Sequence, residues 1–130
     1  MREAVAAVAG MLRSAGFTGV FTFPPSALAC SEPIAVRYAG FARESRQDGE
    51  ERGVATVEAI VCREAAESAR DAAFEMERAV RASGRSEWNE EGASARVLGV
   101  DTDAPADEGR DASGRSVWRL VVRLTMAREV

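Results

Sequence analysis

The segment that most restricts the fold is Arg115–Met126, twelve residues of strict alternation near the end of the chain. Ser116, Trp118, Leu120, Val122, Leu124 and Met126 fall on one side of an extended backbone; Val117, Arg119, Val121, Arg123 and Thr125 fall on the other. Successive side chains of a strand point to opposite faces, so this reads as one strand with an apolar face and a mixed Val/Arg face. At ~3.3 Å per residue it reaches roughly 40 Å, whereas a compact chain of this length has a radius of gyration of about 14 Å. Such a strand crosses the whole domain, bends at a bulge, or projects to meet a neighbour. The stretch leading into it, Ala106–Gly114, is acidic and carries Gly109 and Gly114.

The rest of the chain supplies partners for that strand. Residues 2–15 place Val5, Val8, Ala9 and Leu12 on one helical face, with Gly16 as the stop. Phe17–Phe23 is apolar and β-leaning until Pro24 and Pro25 end it, and Pro24–Pro33 reads as an ordered connection. Two β-rich runs near 34–43 and 54–63 flank the polar, two-glycine stretch Glu44–Gly53, the pattern of an antiparallel hairpin. The clearest helix spans 64–82, with Glu64 and Glu67 at its start, Arg78 and Arg81 near its end, and a seam of alanines with Met76 and Val80. Ser83 and Gly84 close it, and Trp88 follows in a polar connection as a lid on the core edge or an interface. Ala95–Asp101 is a short strand, and Asp101–Gly114 reads as one long loop. The expected fold is one α+β domain over residues 1–130, in the order α-β-β-α-β-β. It has a mainly antiparallel sheet of about four to five strands, with two helices packed on one face.

Composition removes whole classes of chemistry. There is no histidine, which excludes Ser-His-Asp and Cys-His nucleophile pairs and the commonest zinc sites. All 17 basic residues are arginine, and the formal net charge is −4, against a general nucleic-acid surface. Cys30 and Cys62 belong to no CxxC arrangement and read as small apolar residues, a disulfide between them being the alternative. The N-terminal apolar run is alanine-dominated and interrupted by Arg13, which suits an amphipathic helix better than a signal peptide, so a cytoplasmic protein is expected. Asp101, Asp103, Asp107, Glu108 and Asp111 do not match the spacing of a calcium loop, and Ser113 has no histidine or lysine to act as its base. No cofactor, metal or enzymatic activity is expected. Arg119 and Arg123 on the second face of the last strand have two readings: charged gatekeepers of an edge strand, or contacts to a copy or partner.

Several local patterns together carry a resemblance. They are the N-terminal helix, the Pro-containing connection ending in Glu32–Arg37, the charged hairpin tip, and a strand running straight into a helix beginning Arg63–Glu67. The last is Gly109–Arg115 ahead of the aromatic-bearing strand Val117–Leu124. In this ordering the chain resembles the tail terminator and tail-completion proteins of long-tailed bacteriophages, also described as minor capsid or virion structural proteins. The resemblance implies an α+β subunit of a ring, commonly of six copies. That ring ends tail-tube polymerisation and contacts the head connector, first in the bacterial host cytoplasm and then in the virion tail. It supplies no catalytic residue. The expected assembly surface comprises Val117, Arg119, Val121 and Arg123, with Asp107, Arg110 and Asp111 of the acidic lead-in. A small cytoplasmic α+β ligand-binding or dimerisation domain is the alternative, with a pocket lined by Trp118, Tyr38 or Met76. A third reading, an enzyme working through carboxylates, requires them clustered in a cleft.

Overall fold

The computed structural model describes residues 2–22, 32–83, 88 and 95–129. The alternating C-terminal segment is a continuous 14-residue strand, β6 (Ser116–Glu129), and it runs the length of a six-stranded sheet. On one side it pairs antiparallel with all of β3 (Glu50–Arg63), from Glu50↔Glu129 to Arg63↔Ser116. On its other side, β4 (Ala95–Thr102) and β5 (Ala106–Arg110) share its edge end to end. Beyond β3 lie β2 (Ile34–Gln47) and the two-residue β1 (Val20–Phe21), which is parallel to β2. The long strand therefore crosses the whole domain. The bulges fall on the outer strands β2, β4 and β5, where an extra residue can twist an edge without breaking the central ladder.

Two helices cover one side of this sheet. Helix α1 (Arg2–Ser14) buries Ala4, Val8, Ala9, Met11 and Leu12. It ends in a Schellman pair, Gly16 N–H to the Arg13 carbonyl at 3.0 Å and Phe17 N–H to the Leu12 carbonyl at 3.1 Å, with Gly16 at φ 98°. Helix α2 (Ala66–Ala82) buries Ala69, Ala73, Met76 and Val80 at helical spacing, and its alanines let the backbone sit close to the strands. Apart from Ala69, these residues join Ala55, Val57, Ala59 and Val61 of β3 and Leu120, Val122, Leu124 and Met126 of β6 in one core. Each fully enclosed Leu, Ile or Met there contributes roughly 1.5–3 kcal/mol. Trp88 belongs to the same core at 7% exposure, its indole N–H donating to Ser83 Oγ at 2.6 Å.

The sheet corrects the expected architecture. It has six strands rather than four to five, the parallel pairing of β1 with β2 makes a mainly antiparallel sheet a mixed one, and the order is α-β-β-β-α-β-β-β rather than α-β-β-α-β-β. Two short strands account for the difference. β1 is too brief for any periodicity to reveal, and it is held by the open edge of β2 at Ile34 and Ala35. β5 lies inside the expected loop Asp101–Gly114; its Asp/Gly-rich sequence is recruited because β6 outruns β4 and leaves backbone groups to be paired. The first hairpin is also longer than expected. Its strands continue to Gln47 and Glu50 across a two-residue turn, with Asp48 at φ 52° and Gly49 at φ 74°, the geometry of a type I′ hairpin.

Candidate functional site

The side of the sheet opposite the helices carries the strand residues expected at an assembly surface. Strand parity places Val54, Thr56, Glu58, Ile60 and Cys62 of β3 there, beside Val117, Arg119, Val121, Arg123 and Thr125 of β6. Arg37 joins them from β2 and Asp101 from β4. Apart from Glu58, Arg37 and Asp101, these side chains are half-buried, and none of the apolar ones enters the core that the helices share. Val117, Arg119, Val121 and Arg123, expected on one surface, do lie together.

The two arginines are engaged within the subunit. Arg119 Nη1 donates to Glu58 Oε2 at 2.8 Å, and Arg37 Nε donates to Glu58 Oε1 at 2.8 Å, so one carboxylate bridges three strands. Arg119 Nε is 3.0 Å from Glu108 Oε1 but makes no hydrogen bond, so that contact is an ion pair by proximity. Arg123 donates to both oxygens of Asp103, at 2.8 and 2.7 Å, and to Asp101 at 3.2 Å. Glu58 is only 8% exposed. Burial works to raise its pKa, but the hydrogen bonds and charges of Arg37 and Arg119 outweigh it and hold the carboxyl below its ordinary value. Asp103 is lowered by its hydrogen bonds from Arg123.

The residues expected from the acidic lead-in divide between strand and turn. Asp107 and Arg110 sit on β5: Asp107 accepts from Gly109 N–H at 2.8 Å and Arg110 donates to the Gly114 carbonyl at 2.6 Å. Asp111 is a turn residue, accepting from the Ser113 and Arg115 backbone N–H groups and from Arg115 Nε, each at 2.9 Å. Its hydrogen bond from the Arg115 backbone leads the effects that lower its pKa. It shapes the hairpin between β5 and β6. Sequence reasoning did not pick out Arg37, Glu58, Asp101, Asp103 or Glu108 as partners of the arginines. Glu58 had a signal: it is the one charge inside the apolar run Val54–Cys62, at a position whose strand neighbours are Arg37 and Val121.

Among the described residues, Trp118, Tyr38 and Met76 lie in three different surroundings. Met76 is fully enclosed on the inner face of α2, Tyr38 is 43% exposed on β2, and Trp118 packs against Phe74 at 6.1 Å between ring centroids. A cavity of about 360 Å³ lies instead between α2 and β4, bounded by Arg81, Ser83, Trp88, Val97 and Thr102. Among the described residues, no group of three or more His, Cys, Asp or Glu is arranged to hold a metal ion. Cys62 is a free thiol whose pKa burial pushes up, while Cys30, its expected alternative partner, is outside the described residues. No described helix is long and apolar enough to cross a membrane. No protein-family model and no curated protein matches this chain.

Proposed function

We propose that this protein is a virion structural subunit of a long-tailed phage or prophage, a tail-terminator-like ring protein. It would end tail-tube polymerisation and present a surface to the head connector. It would act by protein–protein contact, without catalysis, in the bacterial cytoplasm during assembly and then in the virion tail. The local patterns from Glu32–Arg37 to Val117–Leu124 motivate the reading. The observation that supports it best is the two-sided sheet: helices seal one side, and the other carries half-buried valines between internally neutralised ion pairs. A face whose charges are already paired can meet a protein surface without leaving an ion unsatisfied.

Sedimentation over a wide concentration range, with and without purified tail tubes, tests this directly. The expected result is assembly beyond a dimer and co-sedimentation with the tube ends. A protein that stays monomeric throughout and never joins a tube would overturn it. The alternative, a small ligand-binding domain, is favoured by the cavity beside Trp88 and predicts a monomer or dimer whose melting temperature rises with a small ligand.

A further inference from the structure

Ionic pairing is distributed unevenly across the sheet. On the inner strands β3 and β6, every charged side chain except the terminal Glu129 has an ion-pair partner: Glu50, Glu51, Arg52, Glu58, Arg63, Arg119, Arg123 and Arg128. Both charges of β4, Arg96 and Asp101, are paired as well. Apart from Glu129, the strand charges without an ionic partner among the described residues collect on two strands. These are Arg43, Glu44 and Arg46 on β2, and Asp107 and Arg110 on β5. Those strands lie on opposite sides of the sheet. β2 is paired by β1 only at Ile34 and Ala35, so no described strand covers its outer edge from Val36 to Gln47. β5 pairs only with β6.

We infer that these two edges are each other's partners in trans: β2 of one copy docks on β5 of the next, extending the sheet from subunit to subunit. The inference rests on the ring reading and identifies its subunit contact. Charge supports it, because an antiparallel register that sets Glu44 against Arg110 sets Arg46 against Asp107, and opposite charges across adjacent strands are favourable. Strand direction supports it too. β2, β3, β6 and β5 alternate in direction, so copies held in the same orientation bring β2 antiparallel to β5. The contact joins two different surfaces of one chain, so it repeats head to tail and closes by rotation, as a ring requires. The two bulges of β2 bend its edge away from indiscriminate pairing and leave the charges to select the partner.

The test uses charge reversal and mixing of full-length chains. Arg46→Glu sets acid against Asp107, and Asp107→Arg sets base against Arg46. Each variant alone should need at least about tenfold more protein to assemble, through like-charge juxtaposition. An equimolar mixture should regain wild-type assembly, because each damaged edge meets its complement on the other variant in an alternating ring. Asp107→Asn, which keeps the acceptor for Gly109 N–H, should weaken assembly without changing the melting temperature. If wild type assembles and the variants assemble equally well, the edge contact is wrong and the ring reading stands. If the variants fail and the mixture fails with them, β2 and β5 are not partners. If wild type itself never assembles, the ring reading falls and this contact with it.

Discussion

Glu58 is the residue on which the helix-free face depends. It is nearly enclosed, yet its two guanidinium partners are partly in water, Arg37 at 53% and Arg119 at 37% side-chain exposure. Solvent screening therefore limits what the triad contributes. Glu58→Gln removes the charge but keeps the shape, and should cost about 1–2 kcal/mol at neutral pH. The sign of the pH effect follows from the lowered pKa. A carboxylate depressed on folding contributes fully above its unfolded pKa of about 4.3 and loses that contribution as pH falls through the folded value. Urea unfolding of wild type and Glu58→Gln should therefore differ most at pH 7 and converge in acid. Glu50, Asp103 and Asp111 are lowered in the same direction, by their own hydrogen bonds, and are present in both proteins, so they cancel in the difference. A gap that stays constant below pH 4 would show that the triad is not ionically stabilised. Trp88 makes a second residue-scale case. Its enclosure predicts a loss of about 3–5 kcal/mol for Trp88→Ala, measurable as a lower melting temperature. Little change would place it outside the core.

Among the elements, α2 has an evident weakness. Its N-cap is Ala65, in an extended conformation and without any side-chain hydrogen bond to the first turn. Ala65→Ser or Ala65→Asp should supply an acceptor to those N–H groups and stabilise the protein by about 1 kcal/mol; an unchanged unfolding midpoint would mean another group already caps the helix. The hairpin of β2 and β3 has the opposite character, tight rather than open. A Cβ on Gly53 would collide with the Ala42 carbonyl oxygen and lie 2.7 Å from Phe41 Cζ, so Gly53→Ala should cost about 1–3 kcal/mol. These elements also show what could be read in advance. β6 and α2 were legible because alternation and helical periodicity persist over many residues, and Gly16 because only a left-handed cap suits that position. β1 and β5 were not, since two apolar residues or five Asp/Gly-rich ones become strands only when a longer neighbour offers unpaired backbone. The first hairpin was legible, but not the length of its strands: the charges on both sides of Asp48–Gly49 resemble a loop, although they belong to β2 and β3. The arginine face was legible by parity, whereas its saturation by Asp101, Asp103, Glu58 and Glu108 depends on strand register and turns.

For the molecule as a whole, that saturation changes which substitution tests partner binding. Reversing Arg119 or Arg123 would set a new carboxylate against Glu58 and Glu108, or against Asp101 and Asp103, and would damage the fold along with any interface. The valines separate the two roles of β6. Leu120 is fully enclosed beneath the helices, while the adjacent Val121 faces the helix-free side and is half-buried. Leu120→Ala should cost about 2–5 kcal/mol, lowering the melting temperature by about 10 °C or more. Val121→Ser should cost under about 1.5 kcal/mol in the isolated subunit, because part of that side chain already faces water. In tube co-sedimentation the effects should invert: Val121→Ser weakens association while the subunit stays folded, and Leu120→Ala, below its melting point, leaves the surface intact. Equal destabilisation by both substitutions would mean that the two faces of β6 are both interior. The valine surface would then belong to the subunit's own core and not to a partner.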